Sequence, residues 1–282
     1  MKNIVVGIDF SKNSLNAMRH AVAIALKNNG KIHLIWVKTP GASESIVKDN
    51  ANAYTMKAEE RLIELVNECK TEAPNCSVHY VILEGKPATE ITTYASNITD
   101  SIIVIGTHGV SGFEEIFVGS NAFKIITLST VPVLILREGI EIHRDLTQIL
   151  TPIDTSFETL QKMKYAINFA KIFSAKLFLL GLVAPVLPET RHTINIQLTH
   201  ASNMCQQANI RFDARSIDVN GIPTKTVIDV AKMLDVNLMV IMREEEEDFS
   251  TFWLGSITRQ LVNNTPMPLL IIPNVNHYDV SK

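Results

Sequence analysis

Residues 101–121 read SIIVIGTHGVSGFEEIFVGSN, and this stretch decides how the rest of the chain is interpreted. The apolar run at 101–105 predicts a buried strand, and the residues from Ser120 onward have the spacing of an amphipathic helix. Glycines between a strand and a helix let the backbone approach a ligand closely. The free amide groups of a helix N-terminus attract anions. The stretch therefore predicts an anion site.

The glycines of this stretch have the spacing G-x2-G-x9-G-[ST], formed by Gly106, Gly109 and the pair Gly119-Ser120. Neither the P-loop pattern with its lysine nor a G-x-G-x-x-G run after a strand occurs. The spacing resembles the ATP-binding loop of the universal stress protein family, with every fixed position filled. A tight turn without a ligand would also explain Gly106 and Gly109.

Composition limits the classes of function. The chain has 282 residues, of which 46% are hydrophobic and 20% charged, enough for two domains of about 140 residues. Its net charge of −3 gives no basic field, so no nucleic-acid partner is expected. Three cysteines without a C-x-x-C pair favour free thiols in a reducing compartment. With no leader-like or membrane-length apolar run, we expect a cytoplasmic protein without a membrane partner.

The chain repeats one pattern. Four pairs of segments match in the same order: residues 3–11 with 148–156, 81–87 with 217–223, 103–105 with 239–241, and 117–120 with 253–256. A polar stretch near 137–146 separates the two copies. We therefore expect one domain at 1–140, with an intact glycine loop, and a second at 146–282.

Each copy alternates apolar strand patterns with longer helical patterns. In the first copy we expect strands at about 3–8, 31–37, 78–83, 101–105 and 132–136, and helices at about 13–28, 50–72, 87–98 and 120–129. Strands that are apolar without alternation are buried on both faces, which is typical of a parallel sheet covered by helices. Each copy is thus predicted to be an α/β doubly wound domain. The family resemblance implies five parallel strands in the order 3-2-1-4-5.

Ligands of such sheets bind where the strand order reverses, which here lies between the first and fourth strands. The resemblance implies that the adenosine contacts the end of the first strand and an apolar position of the second, and that the loop and helix start hold the ribose and phosphates. The residues so assigned are Gly7, Ile8, Asp9, Val37, Gly106, His108, Gly109, Gly119, Ser120, Asn121 and Ala122.

Three of these residues also have simpler interpretations. Asp9 could be the N-cap of the helix that begins near Lys12, because aspartate and serine are favoured caps. Val37 could simply pack in the core. His108, between glycines, could contact a phosphate, could be exposed to solvent or could bond to the backbone.

The second copy departs from the pattern. Met242 stands where the first copy has Gly106, Glu245 stands at the Gly109 position, and residues 244–248 are five consecutive acids. Two unit charges about 4 Å apart at an effective dielectric of about 20 interact by roughly 4 kcal/mol. We expect this acidic loop to have lost triphosphate binding. A solvated loop, a divalent metal, a basic partner, a phosphate-free nucleotide and an apolar ligand remain alternatives.

The last strand of each copy, 131–136 and 267–272, is apolar throughout and begins beside a proline. An apolar edge strand invites pairing. In the resembled family these strands pair across a dimer, which implies an intramolecular pseudo-dimer here and leaves homodimerisation open.

The resemblance implies a stress-response regulator or sensor that binds ATP or AMP, with or without Mg²⁺, through its N-terminal domain and acts on an unidentified protein partner. The loop contains no general base and no P-loop lysine, so fast hydrolysis is not expected and enzymatic activity is left open. The alternatives are an adenine-nucleotide α-hydrolase-type enzyme, a slow ATPase, and a scaffold that binds a non-nucleotide ligand.

Overall fold

The computed structural model describes residues 1–39, 48–107, 119–137, 146–184, 188–244 and 256–274. Contacts divide the chain into two units, Met1–Ile142 and His143–Lys282, which are called unit 1 and unit 2 below. Each unit alternates strands with helices and contains a parallel sheet, which confirms the predicted α/β class.

The elements of unit 1 follow one another as strand and helix in turn. The strands are β1 (Asn3–Gly7), β2 (Lys31–Lys38), β3 (Ser77–Glu84), β4 (Ser101–Gly106) and β5 (Val133–Leu136). The helices are α1 (Lys12–Asn28), α2 (Lys48–Glu72), α3 (Pro87–Ser96) and α4 (Ser120–Leu128).

The strands of unit 1 run parallel in the order β3-β2-β1-β4-β5. Strand β1 lies at the centre, where Ile4 pairs with Ile32 of β2 on one side and with Ile102 of β4 on the other. All three isoleucines are fully buried. The chain therefore leaves β1 and β4 at neighbouring points of one sheet edge, where the strand order reverses.

Helix α1 begins with a cap other than the one the sequence suggested. Ser11, not Asp9, is the N-cap, and its Oγ accepts the amide of Ser14 at 3.2 Å. The Asp9 carboxylate instead accepts the amide of Ser11 at 3.0 Å, which fixes the turn between β1 and α1. The capping role considered for Asp9 is therefore wrong.

Unit 2 repeats this architecture. Its strands are β6 (Gln148–Ile153), β7 (Lys176–Val183), β8 (Phe212–Asp218), β9 (Leu238–Met242) and β10 (Leu269–Ile272). Its helices are α5 (Met163–Phe173), α6 (Pro188–Gln207), α7 (Pro223–Met233) and α8 (Ser256–Asn264). The pairing is again parallel, in the order β8-β7-β6-β9-β10.

The first helix differs between the units. Helix α1 is regular from Lys12, whereas the corresponding part of unit 2 is a 3₁₀ turn, Phe157–Leu160, followed by α5 from Met163. A Cβ atom on Gly106 would lie 2.7 Å from Cβ and 2.8 Å from the backbone of Asn13, so α1 packs directly against this glycine. Met242 stands at that position in unit 2. A side chain at this position takes the space that Gly106 leaves for α1.

Cys69, Cys76 and Cys205 are buried and free, as the odd cysteine number predicted. Burial raises the pKa of Cys69 to about 12, so its thiol stays protonated and inert. Among the described helices, none combines the length and apolar character that a membrane crossing requires. Pairing of the two last strands stays a prediction.

Candidate functional site

A cavity of about 260 Å³ lies at the carboxyl ends of β1 and β4. Nine of the eleven residues assigned from the sequence line it: Gly7, Ile8, Asp9, Val37, Gly106, Gly119, Ser120, Asn121 and Ala122. The other two, His108 and Gly109, lie outside the described residues. The sequence thus located one cavity, and nucleotide binding by these residues stays a prediction.

The amide groups of Ser120, Asn121 and Ala122 are donors at this cavity that an anion could use. None of the hydrogen bonds found among the described residues uses these first-turn amides, and the N-cap Gly119 offers no side chain to them. The positive end of the α4 dipole therefore faces the cavity with unused donors.

Gly119 itself does not contribute a donor. Its amide donates to the carbonyl oxygen of Thr107 at 2.6 Å, which ties the start of α4 to the end of β4. The predicted role of Gly119 toward a ligand is therefore limited to the space that its missing side chain leaves for the ligand.

The need for glycine at position 106 has a structural reason that does not depend on a ligand. The close approach of Asn13 excludes any side chain at this position. Sequence reasoning connected the glycine with a turn or a phosphate, but could not detect packing against a helix about 90 residues earlier in the chain.

Asp9 is held at the end of β1 with one carboxylate oxygen bonded to the amide of Ser11. Its own amide donates to Oγ of Ser14 at 3.3 Å. Asp9 is exposed and is the one ionisable side chain among the described residues that line the cavity. Its carboxylate can accept hydrogen bonds from hydroxyl or amino groups of a ligand.

The sequence did not indicate all the residues that line the cavity of unit 1. The additional lining residues are Ser14, Ile35, Trp36, Pro87, Ile91, Ile105, Thr107 and Ile125. Trp36 is buried, and its ring centroid lies 6.4 Å from that of Phe10 and 5.7 Å from that of Tyr54. Phe10 has a φ of 64°, which is unusual for a residue with a side chain. The position of Trp36 beside Val37 in β2 was the one available signal.

Metal binding has limited support from the protein. No group of three His, Cys, Asp or Glu side chains is placed to hold a metal ion within the ranges given above. A magnesium ion at the unit 1 cavity would need oxygen ligands from the bound molecule in addition to Asp9.

Unit 2 has a cavity of about 580 Å³ at the same place in its own sheet, beside β6 and β9. Here the start of α8 is already occupied, because the amide of Ile257 donates to Oε2 of Glu244 at 3.2 Å. The amide of Glu244 donates to Oγ1 of Thr258 at the same distance. Burial raises the pKa of Glu244, and the hydrogen bond from Ile257 opposes the rise. Glu244 belongs to the acidic run, whose remaining members, 245–248, lie outside the described residues.

Lys162 is the second unusual group of unit 2. It is 1% exposed, its Nζ donates to Oγ1 of Thr159 at 2.8 Å, and Oδ2 of Asp154 lies 4.0 Å away. Burial lowers its pKa from 10.5 to about 8, and Asp154 partly offsets this effect. The sequence repeat could have revealed Lys162, since the alignment of Asp9 with Asp154 places it opposite the buried Ala17.

Comparison with known proteins supports the fold and the repeat. A model of the universal stress protein family matches residues 1–137 and 146–273. A universal stress protein of Methanocaldococcus jannaschii is 31% identical over 140 residues, which make up 49% of this chain and 82% of that protein. One of Bacillus subtilis is 29% identical over 147 residues, 48% of this chain and 97% of that protein.

A solved structure with the same fold is that of a universal stress protein from Archaeoglobus fulgidus. It has a TM-score of 0.80 at 18% identity and covers 97% of this chain and 99% of that chain. At this identity the likeness shows the fold alone. The two segments that match the family model agree with the tandem repeat expected from the sequence.

Proposed function

The chain belongs to the universal stress protein family, and on that premise we propose that unit 1 binds an adenine nucleotide, ATP or AMP. We further propose that occupancy of this site regulates a protein partner in a stress response. The observation that carries the proposal is the set of unused amides at the start of α4, which open into a cavity that Asp9 also lines.

The lining of the cavity offers a partner for each part of a nucleotide. The amides of Asn121 and Ala122 and the positive end of the α4 dipole favour a phosphate. Asp9 offers an acceptor for ribose hydroxyl or adenine amino groups. The side chains of Val37 and Ile91 give an apolar wall for a base. The volume of about 260 Å³ is near the lower end of ligand pockets, about 300 Å³, which suits the nucleoside part.

Ligand binding, rather than fast turnover, is the proposed activity. Phosphoryl transfer needs groups that neutralise charge and a positioned water. Among the described lining residues only Asp9 is ionisable, and it is an anion. Slow hydrolysis is compatible with this site. The proposed regulatory role needs only that the nucleotide-bound and free forms differ in a surface that the protein partner recognises.

Titration calorimetry with ATP and with AMP tests the proposal, using Asn121→Asp as the diagnostic variant. Asn121 is exposed, the change is isosteric, and a carboxylate in the first turn of a helix favours the helix. The added charge should nevertheless repel a phosphate at α4, and we expect at least tenfold weaker binding.

Asn195→Asp on α6 is the matched control, because Asn195 is equally exposed and the net charge changes by the same amount. We expect it to bind both nucleotides like the unchanged protein. Equal nucleotide affinity in the Asn121→Asp variant would overturn the assignment of the phosphate to α4.

A further inference from the structure

We propose that the cavity of unit 2 is a second ligand site, which takes an uncharged molecule of nucleoside size that carries hydroxyl or amino groups. Lys162, Asp154 and Asn274 are its polar contacts, and all three line the cavity. This site is independent of nucleotide binding by unit 1.

The cavity has room for a small molecule, and part of its lining is apolar. Its volume is about 580 Å³, within the range of about 300–1,000 Å³ that is typical of small-molecule pockets. The apolar lining includes Leu182, Val227, Ile241 and Leu261. A ring system can pack against these side chains.

Lys162 supplies donors that the protein does not use. An ammonium group has three N–H donors, and the one hydrogen bond of Lys162 among the described residues goes to Thr159. Because the side chain is 1% exposed, the remaining donors need acceptors inside the cavity. The fold itself does not require a lysine here, since unit 1 places the buried Ala17 at the corresponding position.

Asn274 and Asp154 supply acceptors. The Oδ1 atom of Asn274 is buried and has no hydrogen-bond partner within the described part of the chain. Oδ1 of Asp154 accepts the amide of Ser156 at 2.8 Å, while Oδ2 lies on the side of Lys162. A ligand that carries both donors and acceptors satisfies these groups and Lys162 together.

The charges of the cavity select against an anion. Asp154, Glu158 and Glu244 line it together with Lys162 and Arg243, so the carboxylates outnumber the cations by one. Glu244 also occupies the amide of Ile257 at the start of α8, which is where a phosphate would bind. An uncharged nucleoside meets these conditions, whereas a nucleotide does not.

The test is titration calorimetry of the full chain with adenosine and, separately, with AMP. The variant is Lys162→Met, which keeps an unbranched side chain one heavy atom shorter and removes the donors. We expect one adenosine site to be lost or weakened at least tenfold, while the AMP isotherm stays the same. Asn274→Ala should also weaken adenosine binding, with an unchanged melting temperature that shows the fold is intact.

Lys164→Met is the matched control, because Lys164 is exposed, lies two residues further along the chain and does not line the cavity. We expect it to bind adenosine normally. Three results would overturn the proposal: no adenosine binding up to millimolar concentration, adenosine binding that Lys162→Met leaves unchanged, or AMP binding that Lys162→Met weakens. If neither ATP nor AMP binds, the proposed function of unit 1 is wrong, while the adenosine comparison still decides the proposal for unit 2.

Discussion

Replacing Lys162 by methionine should stabilise unit 2, although it removes a hydrogen bond. Burial lowers the pKa of Lys162 from 10.5 to about 8. One pKa unit corresponds to about 1.4 kcal/mol, so the charged form is disfavoured in the folded protein by about 3 kcal/mol. Methionine has a similar volume and no charge, which removes this penalty. Thr159 keeps a partner, since its Oγ1 also accepts the amide of Asp154.

The pH dependence gives the sharper form of this prediction. Between pH 8 and pH 10.5 the unfolded chain keeps the Lys162 proton and the folded chain releases it. Because the unfolded state then binds more protons, the stability contributed by Lys162 rises with pH. The advantage of Lys162→Met should therefore be about 3 kcal/mol at pH 7 and should shrink toward zero near pH 10.5.

Urea denaturation at pH 7 and pH 10 measures both effects. The sequence has two tryptophans, Trp36 in unit 1 and Trp253 in unit 2, so a Trp36→Phe background confines the fluorescence signal to unit 2. Lys164→Met is the control for the loss of one positive charge, because Lys164 is exposed. A Lys162→Met variant that is less stable at pH 7, or whose advantage is the same at both pH values, would refute the reasoning.

Two further predictions concern unit 1. Gly106→Ala should lower the free energy of unfolding of unit 1 by about 1–3 kcal/mol, because the new Cβ meets the backbone of Asn13. Gly7→Ala should cost less, because its new Cβ comes closest to the flexible end of the Ile91 side chain. Thermal melts compare the two variants, and equal melting temperatures would contradict this prediction. Burial lowers the pKa of His33 to about 4. Between pH 6.5 and pH 4 the imidazole of His33 therefore takes up a proton in the unfolded chain but not in the folded one. The stability of unit 1 should fall as the pH falls through that window. A histidine NMR titration checks this, and a His33 midpoint near 6.5 would contradict it.

Local patterns predicted most of the fold of unit 1. Helix α1 was expected at 13–28 and spans Lys12–Asn28, and β4 was expected at 101–105 and spans Ser101–Gly106. Apolar periodicity and a capping serine act within a few residues of each other, so the sequence contains what is needed to locate these elements. The cavity could be located for the same reason, since the carboxyl ends of neighbouring parallel strands meet.

Features that depend on distant contacts were not predictable in this way. The packing of Gly106 on Asn13 joins the end of β4 to the first turn of α1, far apart in the sequence. The contact of Trp36 with Phe10 depends on a positive φ that no residue type signals. Local patterns alone do not indicate the burial of Lys162, which follows from its alignment with Ala17 once the structure shows that Ala17 is buried.

The two units differ most in how the start of one helix is satisfied. In both, a helix N-terminus faces a cavity and leaves amides that need acceptors. In unit 1 the amide of Asn121 has no acceptor among the described residues, so an external anion can accept its hydrogen bond. In unit 2 the equivalent amide of Ile257 already has the carboxylate of Glu244. The amide of Ile257 therefore needs no external acceptor, because a carboxylate of the same chain satisfies it, whereas the amide of Asn121 does need one.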